Sequence, residues 1–356
     1  MIRRPPRSTL DRSSAASDVY KRQTLFFAAT ILIATLISTT VVDSQLNQDQ
    51  GTLLVVESPN LFVVSPAGGA LRKVPLAKPI ISVGGISGTR QIVVATRDEQ
   101  GTPVVEKLLL PGEVLGRYPK PPYSFPSSFS PDGMFLLYQN IVEGTLILHD
   151  IEKNVGRKLF DVDKWERVLH PVMSPNGTLV AFSLFITGSP SVISRVCLLH
   201  VDAPFQRDRC IGERATFPAF SSDGTQLAYW EQTKSAPDPT WSIVVRKVSE
   251  TGDWGGSNTV VSRDFPGMYE DRRIGRIGWS PDSKWLVWAV QKEHFSPFSE
   301  LFRTQIDTGD THNVPISRSW WTEFWREYVL PTDKNRIAFD FQWIPFPLEE
   351  YPEIRR

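Results

Sequence analysis

Apolar residues along this chain come in short bursts, and turn chemistry separates the bursts. Phe129-Ser-Pro-Asp-Gly-Met-Phe-Leu-Leu-Tyr138 is the clearest instance. Ser130-Pro131-Asp132-Gly133 reads as a tight turn. Pro presets φ near −65° at its second position, Asp tolerates the third, and Gly accepts the positive φ that ends it. The run that follows is apolar and rich in β-formers, so the unit predicts strand, turn, strand. It recurs as Ser174-Pro175-Asn176-Gly177 before Leu179-Val180-Ala181-Phe182. It recurs again as Ser221-Ser222-Asp223-Gly224 before Leu227-Ala228-Tyr229-Trp230, and as Ser280-Pro281-Asp282-Ser283 before Trp285-Leu286-Val287-Trp288. Two weaker copies are Ser87-Gly88-Thr89-Arg90, before Gln91–Ala95, and Leu330-Pro331-Thr332-Asp333, before Arg336–Phe339.

The first turn residues fall at 87, 130, 174, 221, 280 and 330, in steps of 43, 44, 47, 59 and 50 residues. A period of roughly 40–50 residues with four strands per repeat is the signature of a β-propeller blade. Helical repeats of similar length are excluded, because the apolar runs are short, β-branched or aromatic, and bounded by Gly, Pro and Asp. Each anchor should join the two inner strands of a blade, with an outer hairpin following. The predicted hairpins are Val104–Leu110 with Val114–Tyr118, Thr145–Asp150 with Gly156–Phe160, and Ser194–Val201 with Arg209–Gly212. Further along they are Ser242–Val248 with Thr259–Ser262, and Leu301–Ile306 with Thr311–Val314. The last anchor has no hairpin after it, but Asn60–Ser65 and Ala70–Pro75 form an orphan one at the other end. The N-terminal hairpin is therefore expected to complete the C-terminal blade and remove a sheet edge there. Thr52–Glu57 is left over as an extra strand. Six blades are expected, with a seventh, incomplete one as the alternative.

The repeated Ser-Pro-Asp-Gly turn followed by an apolar strand resembles the TolB-like six-bladed β-propellers, over roughly Gly51–Phe341. That resemblance implies an all-β fold for residues 51–344, with 345–356 as a Pro-rich tail. It says almost nothing about activity, since this fold hosts unrelated functions.

Upstream, the pattern changes. Residues 1–23 resemble translated sequencing-adapter read-through and are expected to be non-native. Residues 24–42 carry no charge over nineteen positions, Thr24 to Val42. That is long enough for a membrane-spanning helix, which needs about 20 residues. The same segment also fits a long signal-peptide core. An uncleaved anchor is the preferred reading, and either way the propeller belongs outside the cytoplasm. Residues 43–50 read as a polar linker. Lys plus Arg and Asp plus Glu are 39 each, so no global field attracts nucleic acid.

The two cysteines fit the same setting. Cys197 and Cys210 fall in the two strands of one predicted hairpin, and folding it about Ala203-Pro204 puts them opposite each other. Cross-strand neighbours stand close enough for a disulfide after small adjustment. An oxidising compartment would favour the bond.

Candidate chemistry is sparse. Gly85-Ile86-Ser87-Gly88 approaches a nucleophile elbow, but Thr89 stands at the final Gly position. His149, His170, His200, His294 and His312 show no metal-ligand spacing. His149 and His200 read as repeat equivalents. Asp161/Asp163 and Asp307/Asp310 offer fewer oxygens than a Ca²⁺ loop requires, and read as turn residues. No cofactor and no metal are expected. Asn176-Gly177-Thr178 is formally a glycosylation sequon, already explained by the turn.

The unusual stretch is Arg318–Tyr328, which carries Trp320, Trp321, Glu323, Phe324, Trp325, Arg326 and Glu327. As an innermost strand near the channel it would suit a peptide or sugar, although packing between blades would use the same residues. Asp271–Arg276 could bring Arg to the same channel mouth, though a solvated loop is the plainer reading. Trp254, between Asp253 and Gly255, should be an exposed aromatic on a long insertion. The expected function is a monomeric, non-catalytic scaffold for a protein or peptide partner, held at the membrane through residues 24–42. The alternatives are a lyase, glycosidase or cyclase with Glu323 and Glu327 as acid–base groups, or the propeller part of a longer enzyme.

Overall fold

The computed structural model describes the chain from 52 to 315 and from 339 to 344. Within those spans, 58–59, 70–71, 75, 77, 79, 86–90, 111, 122–127, 141, 187–192, 235–239, 265–273 and 292–298 are excepted. The chain divides after residue 49 into two units, and the described residues all belong to the second. The hydrophobic segment 24–42, the anchors at Ser87 and Leu330, and the aromatic stretch Arg318–Tyr328 lie outside the described residues.

Among the described residues, the regular structure is all strand except for one 3-10 turn at Arg207–Arg209. Six four-stranded antiparallel sheets form. One of them joins the two ends of the unit: β1 (Thr52–Glu57), β2 (Asn60–Val64) and β3 (Arg72–Lys73) add to β24 (Phe339–Ile344). This corrects the expected division of labour. Thr52–Glu57 is no spare strand. It runs antiparallel to β24 from Thr52↔Ile344 to Glu57↔Phe339, so among the described residues the N-terminal region supplies three strands of this sheet and the C-terminal region one. The reason is edge protection: β1 would otherwise expose a row of unpaired amides and carbonyls on the side away from β2.

The next sheets follow chain order. They are β4 (Ile80–Gly85), β5 (Gln91–Arg97), β6 (Pro103–Leu109) and β7 (Glu113–Pro119), then β8 (Ser128–Phe129), β9 (Phe135–Asn140), β10 (Thr145–Asp150) and β11 (Val155–Asp161). The third set is β12 (Glu166–Met173), β13 (Leu179–Ile186), β14 (Ile193–His200) and β15 (Cys210–Ile211). Then come β16 (Ala215–Phe220), β17 (Gln226–Lys234), β18 (Thr240–Val248) and β19 (Trp254–Asp264), and finally β20 (Ile274–Trp279), β21 (Trp285–Gln291), β22 (Ser299–Gln305) and β23 (Thr311–Val314). The first strands touch one another in the order β4, β8, β12, β16, β20, β24 and back to β4. The expected hairpins are present. The main boundary error is β19, which begins at Trp254 rather than Thr259 because the glycine pair Gly255-Gly256 is absorbed into the strand.

The continuous apolar runs are explained by burial on both faces of the second strands. In β17, Ala228 and Trp230 pack into the core shared with β20–β22, while Leu227 and Tyr229 pack toward β13 and β14. In β13, Val180, Phe182 and Leu184 face the sheet before it, and Leu179 and Ala181 the sheet after. Trp230 and Trp288 are fully buried and meet edge to face, 5.6 Å apart at 86°, a favoured aromatic geometry. Their indole N–H groups donate to Gly275 O and Thr304 Oγ1, each at 2.9 Å, so the burial leaves no polar atom of either ring unpaired.

The four clear turns share one hydrogen-bond design. At Ser221, the backbone N–H donates to Gln226 O at 2.9 Å, while the Oγ accepts from Gln226 N at 2.9 Å and donates to Asp223 Oδ1 at 2.6 Å. Ser130, Ser174 and Ser280 repeat it with Asp132, Asn176 and Asp282. Gly133, Gly177 and Gly224 sit at φ 68°, 74° and 75°, and Ser283 holds the same conformation at 59°.

Candidate functional site

Because each sheet starts with a strand of the same direction, the Ser-Pro-Asp-Gly turns emerge together on one face. They touch across sheets: Ser222 Oγ donates to Ser280 O at 2.9 Å. The loops from second to third strands, and the links from one sheet to the next, emerge on the opposite face. That second face carries the best-defined candidate surface.

The link from β11 to β12, residues 161–166, is short and tightly tied. Val162 N donates to Gly144 O, Glu166 N to Asp163 O at 2.8 Å, and Asp163 N to Glu166 Oε2 at 3.3 Å. Glu166 is buried, and its carboxylate takes a bidentate grip from Arg207, Nη1 on Oε1 and Nη2 on Oε2, with Arg207 Nη2 also 3.0 Å from Asp163 Oδ2. Fork-to-carboxylate pairing of this kind fixes geometry as well as adding energy. Next along, Gln139 Oε1 accepts from Val168 N at 2.9 Å. On this frame Trp165 is 56% exposed, with the Lys164 ammonium 5.0 Å from its ring centroid. Val142, on the adjoining loop, is also exposed.

A second cluster lies in the first strands, where β4, β12, β16 and β20 each carry a β-bulge. Bulges re-aim side chains and recur beside functional sites. His170 and Phe217 occupy the bulges of β12 and β16 with φ 51° and 54°, each just before a proline, and their rings stack 3.8 Å apart. Such backbone is costly for residues other than glycine and clusters at functional positions. Ser183 Oγ accepts from Phe217 N at 3.1 Å and lies 3.5 Å from His170 Nδ1. Desolvation between the packed strands, then the charge of Arg276, pushes the His170 imidazole down to about 3.

The residues singled out from sequence divide three ways. Trp320, Trp321, Glu323, Trp325, Arg326 and Glu327 lie outside the described residues. Cys197 and Cys210 are register partners and are disulfide-bonded, with Cα atoms 4.0 Å apart. Trp254 is corrected. It is half-buried, not exposed, because its indole packs against the core of β14 and β18 and donates to Arg209 O at 3.0 Å. His149 and His200 are not equivalent either. They pair with Leu136 and Leu179, one position apart relative to their anchors. Asp161, Asp163, Asp307 and Asp310 occupy turns or strand ends, and among the described residues no group of three or more metal-ligating side chains comes together. Sequence reasoning missed Trp165, Phe205 and Arg207. The available signal was Asp163-x-x-Glu166, a self-tying pattern in a link too short to wander.

No known protein-family description matches the chain, and no curated protein matches it either. Solved structures do resemble it. TolB from Acinetobacter baumannii is 16% identical with a TM-score of 0.51, covering 83% of this chain and 67% of that one. A chain of a nidogen/laminin complex is 9% identical with a TM-score of 0.52, covering 82% of this chain and 97% of that one. At these identities the likeness concerns the fold alone. The chain is an all-β propeller, and it shares that fold with TolB.

Proposed function

We propose that this chain is a six-bladed, extracytoplasmic propeller that acts as a non-catalytic scaffold for a protein or peptide partner. The observation that carries the reading is Trp165: an exposed indole beside a lysine, on a link fixed at its base by the Glu166–Arg207 pair. A rigid aromatic with a neighbouring cation is the kind of anchor that interfaces use. The partner docks on the face of the sheet-to-sheet links. Trp320, Trp321, Glu323, Trp325 and Arg326, which lie outside the described residues, are proposed as further partner-binding residues on the strength of their aromatic and charged composition alone. Six four-stranded sheets whose first strands touch in a closed order support six blades over seven. The disulfide supports an oxidising compartment, with residues 24–42 as the membrane attachment of a monomer. The structural likeness to a chain of a nidogen/laminin complex agrees with a protein partner.

The test is capture from membrane and soluble extract on the tagged chain, compared across three forms: wild type, Trp165→Ala, and Lys153→Ala on the opposite face. One protein held by the first and third and lost from the second is the expected result. Equal capture by all three would remove the link face from the interface. A co-purifying sugar in place of a protein would favour the channel enzyme.

A further inference from the structure

The loop between the two bonded cysteines does more than join β14 to β15. The β14–β15 ladder has only two register pairs, Val196↔Ile211 and Cys197↔Cys210, so the backbone alone holds the loop weakly. Yet its side chains lock onto three successive sheets. Asp202 accepts from Arg157 of β11 at 2.9 Å. Phe205 fills the seam between sheets, with ring centroids 4.5 Å from Phe160 of β11 and 5.4 Å from Phe182 of β13. Arg207 grips Glu166 and Asp163 at the base of the Trp165 link. On the other side, Arg209 Nη1 donates to Thr251 O, and Trp254 of β19 donates to Arg209 O. Cys197 is fully buried and Cys210 only partly so, packed against the same core cluster, so a reductant approaches the bond from the Cys210 side.

We propose that the Cys197–Cys210 disulfide is a redox-releasable clasp, whose reduction by a dithiol frees residues 201–209 and unseats the link that presents Trp165. A thiolate of the dithiol attacks Cys210 Sγ, and Cys197 leaves as a thiolate that takes up a proton. The second thiol of the reductant then attacks the mixed disulfide and releases Cys210. Two electrons and two protons reach the protein, and the dithiol closes to its own disulfide. Phe205 and Arg207 then hold the seam without the covalent base, and the two-pair ladder opens.

Hydrogen exchange read by mass spectrometry on the full chain, oxidised against dithiothreitol-reduced, tests this without any partner, so it can fail independently of the scaffold reading. Reduction should speed exchange at 162–168 and 201–211 by about tenfold or more, and leave 91–109 unchanged. The Cys197→Ser/Cys210→Ser chain should show the fast pattern with or without dithiothreitol. Arg207→Gln should speed 162–168 while its disulfide stays intact. Unchanged protection at 162–168 on reduction, or equal acceleration in all six sheets, would overturn the clasp. If the double variant does not fold, the wild-type comparison decides by itself.

Discussion

At each clear turn one buried serine hydroxyl accepts a backbone N–H five residues on and points its own proton at an Asx side chain. That is why Ser, Asp and Gly recur at fixed offsets, and why the turns were legible in the chain's residue pattern alone. Ser283 is the exception, standing in left-handed backbone at φ 59° where its counterparts are glycine. For a residue with a Cβ that conformation costs roughly 1–2 kcal/mol, partly offset by the chain entropy that Ser removes from the unfolded state. Ser283→Gly is expected to stabilise the protein by about 0.5 kcal/mol in urea titration, its loss being the 3.3 Å contact from Asp223 N to the Ser283 hydroxyl. The backbone of His170 was not legible, since nothing in a His-Pro pair announces positive φ. Its consequence is testable through pH. The folded-state pKa of His170, about 3, lies below the unfolded value near 6.5. The unfolded chain therefore binds the extra proton first, and stability is lost as pH falls below about 6.5, with no penalty above it. Asn tolerates the same backbone. His170→Asn should therefore shrink the drop in stability between pH 7 and pH 4.5 by roughly 2 kcal/mol, after allowance for partial solvent contact. An unchanged drop would show that this imidazole already finds a proton in the folded state.

Strands were readable as elements because their second members are apolar on both faces, as in β13 and β17, and short runs with Gly-Pro-Asp borders leave little room for helix. The disulfide followed from hairpin symmetry, and the register confirms that pairing. What the loop between the cysteines does was hidden. Phe205 lies in a Pro-Phe-Gln-Arg segment that reads as solvent-facing, and only the tertiary fold shows the seam between Phe160 and Phe182 that it fills. Trp254 was misjudged for the same reason: its place on a long insertion, with Gly255-Gly256 after it, suggested a loop, and the neighbouring sheet supplied a carbonyl acceptor. Phe205→Ala should cost about 2–3 kcal/mol in the oxidised protein, below the usual range for a full Phe deletion because the ring is half-buried. The same substitution should cost clearly less once the disulfide is reduced, because the two act on one loop. Equal costs in both redox states would mean that Phe205 keeps its seat without the covalent base.

At the scale of the whole molecule, the informative element is β24. The sequence indicated that the two ends share a sheet, yet misassigned which strands do so, because Thr52–Glu57 has no turn of its own to tie it to a repeat. Pairing with β24 gives β1 a partner on its open side, along six residue pairs. Each ladder hydrogen bond contributes roughly 0.5–1.5 kcal/mol net, so the strand's ladder is worth several kcal/mol before any packing is counted. Ending the chain at Ala338 should therefore lower the melting temperature by about 10 °C or more. It should also promote association through the bared edge of β1. A synthetic peptide spanning residues 337–346, added in excess, should recover part of the loss by adding back as a strand, with a melting temperature that climbs with peptide concentration. A peptide of the same composition in scrambled order should not. If the truncated chain melts like the intact one, the contacts of β24 with β4 and β20 are not what closes the ring, and the order of first strands ends at β20.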